Sequence, residues 1–108
     1  CAGLILLADK ISNDDRTHLQ TMPITVKRNS YGRQLGSFHV EHEYGSLGKI
    51  PMTFIRAPHI EACAKDVEIL AKIDERIVAA RFKNQLALSF HPELDNDTRI
   101  FEDFIKLI

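Results

Sequence analysis

The stretch that most constrains this chain is Leu86-Ala87-Leu88-Ser89-Phe90-His91-Pro92-Glu93. Its first five residues are apolar except for one small hydroxyl and carry no charge, the pattern of a buried strand. Proline has no N–H to give to a sheet ladder, so the strand ends or leaves the sheet at Pro92. His91 is thereby set at the lip of a strand end, where open α/β sheets carry their chemistry. Pro92 also biases His91 to an extended conformation, and in an extended chain residues two apart project to the same side. Glu93 is therefore expected beside the His91 imidazole, orienting it and stabilising its protonated form, as two members of a triad do.

A triad needs a nucleophile, and the other end of the chain offers one. Cys1-Ala2-Gly3 leads into Leu4-Ile5-Leu6-Leu7-Ala8, an uncharged run of good helix formers. A cysteine just before a helix N-terminus feels the positive end of the helix dipole, which favours the thiolate. The backbone N–H of Ala2 would point into the same space and serve as an oxyanion donor. On residues alone, a buried structural cysteine and a capped strand end remain the plain alternative.

Along the chain, elements alternate without repeats, low-complexity tracts or an internal linker. Residues from Ala2 to about Ile11 read as a helix that is apolar nearly all round and buried. Ser12-Asn13-Asp14-Asp15 should end it. Ile24 to Arg28 is β-branched with period two and reads as a strand, as does Phe38 to Tyr44, with Gly45 and Gly48 marking a loop. Met52 to Ile55 and Val67 to Ala71 are shorter strands. Arg76–Phe82 and Gln85–Phe90 pair as a hairpin, with Lys83-Asn84 as a tight turn in which Asn tolerates a positive φ. Asn96 and Asp97 offer caps for a last helix striped by Ile100, Phe101, Phe104, Ile105 and Ile108.

Cys-Ala-Gly opening an apolar helix, with Ser-Phe-His-Pro-Glu far downstream, resembles the triad (class I) glutamine amidotransferases. Between them, Val26-Lys27-Arg28-Asn29-Ser30-Tyr31-Gly32-Arg33-Gln34 and Phe54-Ile55-Arg56-Ala57-Pro58 are similar to the glutaminase subunits of bacterial-type pyridoxal 5′-phosphate synthases. The resemblance runs over essentially all 108 residues. It implies an α/β fold, part of a flavodoxin-like three-layer architecture, with residues 1–108 as the C-terminal portion of a single glutaminase domain. The family's N-terminal half, which carries a glycine oxyanion donor and a Gly-Gly-Glu loop that helps bind glutamine, would precede Cys1.

The resemblance implies a glutaminase in which Cys1 is the nucleophile, His91 the acid–base and Glu93 its orienting partner. Arg28 is expected to bind the α-carboxylate of L-glutamine, as a planar, permanently charged donor suits, with Ile55 (through its backbone) and Arg56 as further substrate contacts. Ammonia would pass to a pyridoxal 5′-phosphate synthase subunit in a hetero-oligomeric complex. Neither a metal nor an organic cofactor is called for. With the glycine donor and the strand before Cys1 absent, these 108 residues alone are expected to be inactive, and the first helix to lose the face it packs on.

The remaining residues have duller readings. His39, Glu41, His42 and Glu43 resemble a metal cluster, but strand alternation sends the two histidines to opposite faces. Cys63 reads as a packed thiol, Arg33 and Gln34 as structural or partner-facing, and His59 at most as a lining residue; His18 takes no role. A net charge of −1 gives no electrostatic case for nucleic acid or an acidic membrane. Leu4–Ala8, the longest apolar run, is too short to span a bilayer. Two cysteines make no disulfide framework and fit a reducing cytoplasm. Two other classes stay open: an amidohydrolase using Cys1 as an N-terminal nucleophile with its own α-amine as base, and a non-catalytic interaction domain of the same fold.

Overall fold

The computed structural model describes residues 2–12, 16–27, 37–55 and 57–107. Helix α1 (Ala2–Leu7) runs without a loop into strand β1 (Ala8–Ile11). The helix is thus shorter than its composition suggests. Ala8 and Ile11 are buried and Asp9 and Lys10 exposed, a spacing that fits a helical turn as well as a bulged strand. Pairing decides it: β1 lies parallel to β2 (Met22–Lys27), with Ala8 opposite Met22 and Ile11 opposite Val26, across a register shift. Backbone bonds to a neighbouring strand override local propensity here.

Strand β2 buries Met22, Ile24 and Val26 and pairs antiparallel with β5 (His59–Cys63). Period-two patterning did not announce β5, because only Ile60 of its five residues is buried. Its strand form is imposed by β2 on one side and by β7 (Arg76–Phe82), which it meets at Ile60 and Ile77. Strands β6 (Glu68–Ile73) and β8 (Gln85–Leu88) both pair antiparallel with β7. The six-stranded sheet has the order β1-β2-β5-β7-β6, with β8 against β7. The expected β7–β8 hairpin is present, but its left-handed residue is Lys83 (φ 57) and not Asn84.

A second, two-stranded sheet joins β3 (Ser37–Glu43) to β4 (Lys49–Ile55). Gly45 and Gly48 occupy positive φ in its turn, a conformation glycine adopts without steric penalty. Ile50, Met52 and Phe54 of β4 point inward and form one core cluster with Tyr44, Leu70, Ala71, Val78, Ala79, Phe90 and Ile100. The other cluster holds Leu4, Ala8, Met22, Ile24, Val26, Ile60, Val67, Ile77, Ala80 and Ala87. Strand β7 feeds both. Leu4 is 2% exposed, so α1 finds cover on this sheet, contrary to the expectation that the helix would stand bare.

Helix α2 (Arg99–Ile105) begins one residue after Thr98, its N-cap. Neither expected cap takes that position, yet Asp97 Oδ1 accepts the N–H of Arg99 at 3.0 Å. Arg99 ties the helix to the β3–β4 turn by donating to the carbonyls of Leu47 and Lys49, at 3.0 and 2.7 Å. Of the apolar stripe, Ile100 is buried while Phe101 and Ile105 are exposed; Ile108 lies outside the described residues. Among the described residues, no helix is long and apolar enough to cross a membrane.

Candidate active site

Strand β8 delivers the chain to the site. Beyond Leu88 the backbone keeps one more sheet bond, Ser89 N–H to the Val78 carbonyl (2.8 Å). Phe90 is then locked in the core, its ring edge-on to Tyr44 and tilted against Phe54. His91 N–H donates to the carbonyl of Thr53 on β4 at 2.8 Å. Pro92 opens a 3-10 turn, Pro92–Leu94, and its side chain is buried. Strand β8 itself ends at Leu88, short of the expected Phe90, and Glu93 sits in the turn that Pro92 opens and not further along an extended chain.

The two side chains nevertheless meet. His91 Nδ1 lies 2.8 Å from Glu93 Oε2. The imidazole is half-buried and the carboxylate 58% exposed. The hydrogen bond from His91 holds the Glu93 carboxyl below its usual range, with its own backbone N–H adding to the effect. The carboxylate thus engages Nδ1 of the ring and not Nε2.

His91, Pro92 and Glu93 form one wall of an open cleft of about 540 Å³, together with Leu86, Ala87, Leu88 and Phe90. Gly3, Leu4 and Leu7 of α1, at the start of the chain, supply another wall, and Leu19 also lines the cleft. Leu19 had no signal in the sequence, since it lies in a polar stretch without periodicity. Cys1, Arg28 and Arg56 lie outside the described residues, as do Arg33 and Gln34. The Ala2 backbone begins α1, and at six residues that helix carries a smaller dipole than the longer one the sequence suggested. Ile55 ends β4, two residues beyond Thr53, with its side chain exposed.

His18, His39, His42, His59 and Cys63 are not among the residues that line this cleft. His39 contacts Thr53, and His42 the backbone of Glu43. Among the described residues, no group of three His, Cys, Asp or Glu side chains is arranged to hold a metal ion. Cys63 is a half-buried free thiol packed against the second cluster. Burial, reinforced by Arg76, pushes the His59 pKa down. His18 is exposed. Tyr44 and Ser89 bury hydroxyls that find no hydrogen-bond partner among the described residues, and burial raises the tyrosine's pKa.

A histidine–carboxylate pair beyond a strand end, sharing a cleft with the helix that follows a cysteine, is the arrangement expected from the resemblance to the triad glutamine amidotransferases. A crystal structure of a glutamine amidotransferase superposes with a TM-score of 0.92 at 39% identity, covering 99% of this chain and 57% of that one. The family model of the SNO glutamine amidotransferase family matches residues 1–108, and the chain belongs to that family. Among curated relatives, the pyridoxal 5′-phosphate synthase subunit PdxT of Desulfitobacterium hafniense is 59% identical over 108 residues, all of this chain and 54% of the relative. The subunit of the same name from Streptococcus pneumoniae is 56% identical over 107 residues, 99% of this chain and 55% of its own. The chain spans about half the length of the curated relatives it matches.

Proposed function

We propose that this chain carries the triad of a glutaminase that releases ammonia from L-glutamine for a pyridoxal 5′-phosphate synthase subunit. The observation that carries the reading is the His91–Glu93 contact at 2.8 Å, on a cleft whose other wall is the helix immediately after Cys1. The names of the PdxT relatives support the synthase as consumer of the ammonia, and a biosynthetic role of that kind fits the cytoplasm.

In this reading the Cys1 thiolate attacks the side-chain carboxamide carbon of glutamine. The oxyanion that forms is met by the Ala2 N–H. His91, through Nε2, protonates the nitrogen as the C–N bond breaks, and ammonia leaves a thioester on Cys1. The same nitrogen then takes a proton from water, whose attack on the thioester releases glutamate and restores the thiolate. Glu93 holds Nδ1 and so fixes the tautomer throughout. Arg28 binds the substrate α-carboxylate, and Ile55, which ends β4, and Arg56 add contacts.

The test is covalent labelling of the protein, at the full length of its relatives, by a glutamine-derived diazoketone, followed by peptide mapping. Modification of Cys1 alone, abolished by excess glutamine, is the expected outcome. Labelling of Cys63 instead, or shared equally between the two, overturns the nucleophile assignment. In a chain that begins at Cys1, loss of labelling on blocking the α-amine would favour an N-terminal-nucleophile enzyme, in which the His91–Glu93 contact has no part.

A further inference from the structure

The segment from His91 to Asp95 hangs on one residue of β4. The N–H of His91 donates to the Thr53 carbonyl at 2.8 Å. The Thr53 hydroxyl donates to the Asp95 carboxylate, at 3.1 and 3.3 Å from its two oxygens. Between these ends the segment closes on itself, with Leu94 N–H bonded to the His91 carbonyl (3.1 Å) and Asp95 N–H to the Pro92 carbonyl (3.2 Å). The Asp95 side chain is only 13% exposed, so its charge depends on partners within the protein.

A third side chain completes the arrangement. His39 stands directly opposite Thr53 in the β3–β4 register. Its Nδ1 is 2.9 Å from Thr53 Oγ1 and 3.5 Å from Asp95 Oδ1. A hydroxyl has one proton to give. With that proton directed to Asp95, Thr53 Oγ1 accepts from His39, which must then carry a proton on Nδ1. The donors run in one direction, from His39 to Thr53 to Asp95, and each link orients the next.

Building on the assignment of His91 and Glu93 as the acid–base pair, we propose that Thr53 is a positioning residue for the reaction. Aided by Asp95 and His39, it holds the His91–Asp95 turn at both ends and so sets the His91–Glu93 pair over the cleft. Thr53 touches neither reacting atom; it acts through the turn. The strand that bears it ends at Ile55, so one strand links a proposed substrate contact to the placement of the base. Positioning of this kind governs rate steeply, since a shift of about 1 Å in a catalytic group costs up to about 100-fold.

The experiment compares Thr53→Val, Thr53→Ser and Asp95→Asn in the protein at the full length of its relatives. Valine keeps the carbonyl bond to His91 and suits a strand, but removes the hydroxyl. Two quantities are read: steady-state glutamine hydrolysis, and the titration of the Glu93 carboxyl by carbon-13 NMR. Thr53→Val and Asp95→Asn are expected to lower kcat about tenfold with KM within about twofold. In both, the Glu93 titration should move up toward the ordinary carboxylate value, because the turn no longer holds it against His91. Thr53→Ser should restore both readouts. Unchanged kcat and an unchanged Glu93 titration in Thr53→Val overturn the proposal, as does a moved titration with wild-type kcat. A parent protein inactive on glutamine, yet with a Glu93 titration that moves in Thr53→Val, would sink the glutaminase reading while supporting the hold of Thr53 on the pair. Should Thr53→Val fail to fold, Asp95→Asn carries the same two outcomes.

Discussion

Oε2 of Glu93 stands 2.8 Å from Nδ1 of His91, and the contact is made from within a 3-10 turn that Pro92 starts. A carboxylate in that place selects the Nδ1–H tautomer, and in the proposed mechanism Nε2 is the nitrogen that moves protons. The consequences for rate and for pH follow from this one bond.

His91→Asn should lower kcat for glutamine hydrolysis by about 10²–10⁴, the range of a lost general acid–base. Glu93→Gln should lower it less, by about 10–100-fold, because a charge-assisted bond of about 1.5–3 kcal/mol is weakened while the imidazole stays in place. Steady-state kinetics on the two variants checks the order; equal losses would place Glu93 in the proton transfer itself.

The same bond has a pH signature. The folded-state pKa of Glu93 is depressed, principally by His91, so its stabilising contribution is present above the unfolded value of about 4.3 and is lost as pH falls through the depressed one. Thermal unfolding of the parent and of Glu93→Gln should differ slightly at pH 6 and converge as the medium is acidified. The difference is small because the carboxylate is mostly in water.

Arg28→Ala should chiefly raise KM for glutamine, by about 10–100-fold, since removal of one ionic hydrogen-bonding partner forfeits about 1.5–3 kcal/mol of binding. An unchanged KM with reduced kcat would move Arg28 from substrate binding to chemistry.

Phe90→Ala should cost about 3–5 kcal/mol of stability. Phe90 is 1% exposed and touches both Tyr44 and Phe54. Denaturant titration reads the loss. Activity should fall further than the unfolded fraction explains, because Phe90 is covalently next to His91.

Arg99→Gln tests the tie between α2 and the β3–β4 turn. The Arg99 guanidinium beside Asp97 lowers that carboxyl to about 2, and the same side chain holds two turn carbonyls. The variant should return Asp97 toward the ordinary value of about 3.9, read by NMR titration, and lower the melting temperature. In the parent, the Asp97 contribution is present above about 3.9 and is lost only as pH falls through about 2.

Where local chemistry and pairing agree, the elements could be read in advance. Strands β2, β3, β7 and β8 alternate or run apolar, although β8 ends at Leu88, before Pro92 is reached. The His91–Glu93 contact was legible because a two-residue separation around a proline leaves few geometries. Helix α1 was overextended because Ala8 and Ile11 satisfy helical and bulged-strand spacing equally. Strand β5 was invisible because its neighbours, and not its own side chains, make it a strand. Asn84 was the natural residue for the left-handed position, yet Lys83 takes it, since the hairpin register fixes where the bend falls. Thr53 escaped notice because it sits on the polar side of a strand whose other side, Met52 and Phe54, carries the core signal.

The two walls of the cleft are moored to different interiors. Leu4, which anchors the helix that Cys1 precedes, belongs to the cluster around Ile24, Ile60 and Ala87. Phe90, which anchors His91, belongs to the one around Tyr44, Phe54 and Val78. The gap between the helix and the imidazole is therefore a measure of how these two interiors ride on their shared sheet. Warming that loosens either one widens the gap before the chain as a whole lets go. Catalysis should then have a lower thermal ceiling than the fold: a preparation held a few degrees below its melting point keeps its shape, loses turnover, and regains it on cooling.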